Sequence, residues 1–163
     1  VRAHYGDRTA RRSGVPLLAH IEDGLRLLAA LSASTTAQRA FCLHPIVQAD
    51  ADLAVAFDAG GALHSLVIDA KTLAVALEYR RCANAHLSTH APSTLASLSL
   101  APFAEVRDML IADKVQNRRD FERNHRGRHE RSDDLDAYFA RWLRFLGVDE
   151  EAYARLIAVI GGA

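Results

Sequence analysis

Apolar residues in this chain recur mostly at intervals of three and four. No run of six or more alternates cleanly between apolar and polar positions with β-branched residues and hairpin turns at its ends. That spacing belongs to amphipathic helices. It predicts a first helix over residues 16–31, opened by Pro16, with Leu17, His20, Gly24, Leu27 and Leu31 on one face. A second helix starts at Thr35, where Thr35 and Gln38 form a capping-box pattern. Its apolar face carries Ala37, Phe41, His44 and Gln48, and Pro45 bends or stops it by removing a backbone bond. A short helix over 52–59 ends at Gly60-Gly61, a C-terminal cap signal. Asp69 caps a longer helix that runs to residue 86 and bears Leu73, Ala76, Leu77, Ala83 and Leu87. Residues 90–100, rich in Ser and Thr, read as a loop, and Pro102 opens a helix that reaches residue 124. A polar stretch broken by Gly127 leads to two last helices over 134–146 and 150–160. The prediction is an all-α helical bundle forming a single domain over 1–163, with 132–163 as a C-terminal helical pair.

Composition narrows the class without naming a function. The chain has 163 residues, half of them hydrophobic, which is ample for a core without disulfides or metals and excludes disorder as the main state. Lys+Arg and Asp+Glu number 20 each, so the net charge is zero. That argues against nucleic acid as the partner. The two cysteines, Cys42 and Cys82, lie inside apolar segments and suggest neither a disulfide framework nor a metal knuckle. They favour a reducing, cytoplasmic setting. No apolar stretch approaches the ~18 residues of a membrane span. The first twelve residues are basic without an apolar core, unlike a secretory signal.

Three polar residues stand where the periodicity asks for apolar ones. His20 lies between Leu17 and Leu27, and His44 follows Phe41 by one turn. Asp113 belongs to the stripe Val106, Leu110, Asp113, Asn117, Phe121. Each such group, buried without a partner, costs roughly 1–3 kcal/mol, and a lone charge costs more. Either each is hydrogen-bonded separately within the core, or the three meet. Two imidazoles and one carboxylate from three helices suit Zn, Mn or Fe.

The segment Arg12-Ser13-Gly14-Val15-Pro16-Leu17-Leu18-Ala19-His20 resembles the opening of the hydrolase domain of RelA/SpoT-type (p)ppGpp hydrolases, in the HD phosphohydrolase superfamily. His44 stands 24 residues after His20, where that family has a His-Asp pair. Ala112-Asp113-Lys114-Val115-Gln116-Asn117 resembles the family's later Ala-Asp-Arg-Leu-His-Asn stretch. The resemblance spans 12–121 and implies an HD-type bundle. It also implies His20, His44 and Asp113 as metal ligands, with Arg12, Ser13, Asn117 and Lys114 toward a phosphorylated nucleotide. The chain departs from the family at two points. His44 is followed by Pro45, so the fourth ligand is missing, and Gln48-Ala49 replaces an acidic pair. Gln48 takes no proton at useful pH and cannot serve as a base. Asp50 or Asp52 is a substitute only if Pro45 bends the chain to bring it in.

Other clusters have plain readings beside functional ones. Arg11-Arg12 is either a phosphate fork or a solvated patch. The basic run from Arg118 to Arg131 either faces phosphates or pairs with Asp133, Asp134 and Asp136. His86 and His90 are a metal pair or caps at a helix end. Tyr138, Phe139, Trp142, Leu143 and Leu146 read as core. The first reading is a nucleotide-binding protein with metal-dependent hydrolysis lost or impaired, holding either a divalent metal or none. The second is an active metal-dependent phosphohydrolase with an altered site. The third is a non-catalytic protein-interaction module.

Overall fold

A computed structural model describes residues 2–9, 15–87 and 102–161. The fold is all-α, as the periodicity predicts. Among the described residues there is no strand, only a bridge between Thr9 and Pro16. The helices are α1 (Arg2–Tyr5), α2 (Leu17–Ala30), α3 (Thr35–Val47), α4 (Asp50–Phe57), α5 (Ala62–Ser65), α6 (Ala70–Ala85), α7 (Ala104–Asn124), α8 (Ser132–Phe145) and α9 (Glu150–Ile160). The loop predicted over 90–100 lies outside the described residues.

Helix α7 is the axis of the bundle. Helices α2, α3, α6, α8 and α9 all pack on it. It is therefore apolar around much of its girth, burying Val106, Met109, Leu110, Ile111, Ala112 and Val115. That places Asp113, midway along α7, at the centre of the molecule. Trp142 and Leu143 of α8 close one side of this core, and Leu27, Leu28 and Phe41 of α2 and α3 close another.

Several boundaries differ from the sequence pattern for local reasons. Pro16 is the residue before α2, not its first turn, because its bridge to Thr9 keeps it extended. The cap of α3 is Ser34, one residue ahead of the predicted Thr35. Its hydroxyl accepts from the Ala37 N–H at 3.2 Å, while the Gln38 amide donates to the Ala33 carbonyl. Helix α4 sits two residues earlier than predicted at both ends. The chain turns by 104° between α3 and α4, so Asp50 and Asp52 both fall in the first turn, where carboxylates suit a helix N-terminus. The four-residue α5 carries no periodic signal. Helix α8 begins two residues before the predicted start.

Asp69 caps α6 as predicted, accepting from the Thr72 N–H at 2.9 Å and the Thr72 hydroxyl at 2.7 Å. Yet α6 turns a different face inward. Thr72, Val75, Ala76, Tyr79, Cys82 and Ala83 are buried, whereas Leu73 and Leu77 are half-buried and Leu87 is exposed. The polar members of this face carry their own partners. Thr72 bonds Asp69, and Tyr79 bonds Asp113. Burial therefore costs them little. Among the described residues no single helix is long and apolar enough to cross a membrane.

Candidate metal centre and its cleft

His20 of α2, His44 of α3 and Asp113 of α7 meet. Their ligand atoms all lie within 4.8 Å of one another. His20 Nε2 is 3.4 Å from His44 Nε2 and 3.7 Å from Asp113 Oδ1. His44 and Asp113 are buried, and His20 keeps 22% of its side chain exposed on the cleft side.

Each imidazole is fixed from behind. His44 Nδ1 lies 2.6 Å from the Phe41 carbonyl, and His20 Nδ1 lies 2.8 Å from Gln116 Oε1. A carbonyl oxygen only accepts, so both rings carry their proton on Nδ1. The two Nε2 atoms therefore face each other at 3.4 Å, with His44 Nε2 left as an acceptor. Pro45 takes part in this arrangement. It has no N–H to give to the Phe41 carbonyl one helical turn back, and the His44 ring takes that acceptor instead. Gln116, only 6% exposed, was not among the residues the sequence singled out. Its signal was its place three residues after Asp113, on the same side of the helix.

Phe41 supports both rings. It packs 4.5 Å from His44 and 5.6 Å from His20, ring centre to ring centre. Gly24 makes room for it, since a Cβ there would lie 2.0 Å from Phe41 Cε1. Tyr79 stands edge-on to His44 at 5.0 Å.

Asp113 is the most heavily bonded group of the site. Lys114 Nζ donates to Oδ2 at 2.9 Å, and Asn117 Nδ2 donates to Oδ1 at 2.8 Å. The Tyr79 hydroxyl bonds it as well. Burial alone would raise its pKa. The positive Lys114, with His20 and His44, outweighs burial and lowers it to about 2. His44 is pushed the other way, to about 3. Burial is the main cause and the neighbouring His20 adds to it. At neutral pH the site thus holds an ionised carboxylate beside an uncharged imidazole, the state in which both act as ligands. Imidazoles whose far nitrogens donate to carbonyl oxygens are oriented as metal ligands are.

The cluster lies at the foot of a cleft of about 490 Å³, also lined by Gln48, Asp52, Lys114, Asn117 and Asp120. The sequence-predicted Asn117 and Lys114 are therefore in its wall. Asn117 orients Asp113, and the Lys114 ammonium is engaged by Asp113 beneath the rings of Trp142 and Tyr138 at 5.2 and 5.7 Å. Arg12 and Ser13 lie outside the described residues. Gln48 is tied to α6 by a reciprocal pair. Its amide donates to Asn84 Oδ1, and the Asn84 amide donates to the Gln48 carbonyl.

The remaining clusters resolve plainly. Arg118 pairs with Glu122 and bidentately with Glu150, Arg119 with Asp23, Arg126 with Asp136, and Arg131 with Asp134. His86 is buried edge-on to Trp142, and its predicted companion His90 lies outside the described residues. Tyr138, Phe139, Trp142, Leu143 and Leu146 are core. Compared with protein-family models, curated proteins and solved structures, the chain matches none of them.

Proposed function

We propose that this protein is an HD-type, metal-dependent phosphohydrolase whose cleft receives a phosphorylated nucleotide of the (p)ppGpp class. One observation carries the reading: two imidazole lone pairs and a carboxylate oxygen converge, with both rings protonated on their far nitrogens. Asp113 already accepts from Lys114 and Asn117, so the gain from a cation falls mainly on the two facing imidazole nitrogens, which it would bridge to the carboxylate. A divalent ion there supplies Lewis acidity to a phosphate and to water. The donor set of two nitrogens and one oxygen fits Zn, Mn or Fe. His20 and His44 hold their lone pairs on the ion, and Asp113 offsets part of its charge. Asn117 and Lys114 fix Asp113, and Asn117 borders the space a nucleotide would fill.

A second reading is favoured by the Lys114–Asp113 pair: a nucleotide-binding protein without metal chemistry, in which the ammonium supplies the positive charge. Metal analysis of chelator-free protein, followed by Mn²⁺ titration and a nucleotide panel including ppGpp, separates the two. Stoichiometric metal with phosphate release supports the first. Metal-free protein that ignores Mn²⁺ yet melts higher with nucleotide supports the second. No response to metal or to any nucleotide overturns both and leaves an interaction module.

A further inference from the structure

The cleft carries more negative charge than its ligand cluster alone. Three carboxylates line it, from Asp52, Asp113 and Asp120, against one ammonium, Lys114, already paired with Asp113. A bare phosphate entering this space meets net repulsion, whereas a divalent cation is drawn in. The three-residue cluster by itself compensates such an ion poorly. Its two rings bring no negative charge and its one carboxylate is half-claimed by Lys114.

The two acidic residues that follow Pro45 behave differently. Asp50 pairs with Arg80 and does not line the cleft. Asp52, one helical step beyond, lines the main cleft and also a second cavity of about 220 Å³, and His20 lines both. Among the described residues Asp52 has no ion-pair partner, although Arg8 shares the smaller cavity with it. The 104° turn after Val47 is what swings the first turn of α4 to this place. Gln48, at that turn, is held by Asn84 and is an amide without charge.

From this placement we infer that Asp52, in the first turn of α4 and lining the same cleft as the three-residue cluster, supplies the second carboxylate of the cation site. The inference rests on the metal reading above. It assigns the charge that a divalent ion needs to a residue outside the three-ligand cluster. It also makes the phosphate a guest of the ion, entering as its cation complex.

The test is calorimetric titration of the full chain with Mn²⁺, which reads affinity and not turnover. Asp52→Asn is expected to weaken Mn²⁺ binding at least about tenfold, the low end of what loss of a partner near a metal costs. Asp52→Glu keeps the charge and is expected to stay close to the parent. Asp58→Asn, at the far end of α4 and outside the cleft, serves as control and should change nothing. Asp52 is exposed, so circular dichroism of each variant should match the parent. If the parent binds Mn²⁺ and Asp52→Asn binds it equally well, this inference falls while the metal centre stands. If the parent takes up no Mn²⁺, the centre itself falls and the inference falls with it.

Discussion

Two successive stretches, residues 113–117 within α7 and 118–126 at its C-terminal end and just beyond, are both rich in polar residues and do opposite things with them. From Asp113 to Asn117 the charges lie inside the bundle and converge on the point where the Nε2 atoms of His20 and His44 meet. From Arg118 to Arg126, Arg118, Arg119 and Arg126 each meet a carboxylate of their own, with Arg118 gripped by Glu122 and Glu150 and stacked over Tyr153 at 4.0 Å. The contrast shows that charge density by itself does not mark a site. What marks one is a group of donor atoms whose local partners leave one direction open.

The comparison breaks hardest at Asp113. Asp113→Asn leaves the Lys114 ammonium buried without a counter-charge, which should cost about 3–5 kcal/mol of unfolding free energy, read by urea titration, and should abolish Mn²⁺ binding. Acid does related damage without mutation. His44 is lowered from 6.5 to about 3 and Asp113 from 3.8 to about 2. The unfolded chain therefore binds the extra protons first. Metal-free protein should be fully stabilised by these groups above pH 6.5 and lose that stability progressively as pH falls toward 3 and then 2. Melting temperatures across that range check the sign; stability that rises on acidification would contradict the burial of both groups.

Gly24→Ala comes next. The new methyl displaces Phe41, for an overpacking cost of about 1–3 kcal/mol, and shifts both imidazoles. Weaker Mn²⁺ binding should accompany the lower melting temperature. Arg118→Ala, in the second stretch, should cost about 1–2 kcal/mol while Mn²⁺ affinity holds. Arg126→Ala, at an exposed pair, should cost no more than about 1 kcal/mol. If either arginine variant altered metal affinity, the separation between the two stretches would be lost.

The fold was largely legible because α7 and its neighbours keep helical spacing and because Asp69 caps α6 where expected, although Pro102 stands two residues before α7 and does not open it. What the pattern missed was local. Ser34 and Thr35 are both good caps, and only the backbone's extended turn at Ser34 decides between them. Helix α6 was assigned the wrong face because Thr72 and Tyr79 count as polar by composition, yet each meets a partner that cancels its polarity. Among site residues, His20, His44 and Asp113 were visible as polar breaks in apolar stripes. Gln116 was not, since its role depends on which residue of another helix it meets, and periodicity within one helix carries no such information. Arg12 and Ser13 lie outside the described residues, so the basic end of the resemblance keeps its standing as an expectation.

A proline directly after a histidine looks like damage to a helix, but here it settles a competition. Any other amino acid at 45 would bring a backbone donor to compete for the Phe41 oxygen. The His44 ring would then have reason to rotate between two orientations of similar energy. With that rival absent the ring is held in one orientation by the Phe41 oxygen, and on the metal reading proposed above a cation would meet a ligand that is already aimed.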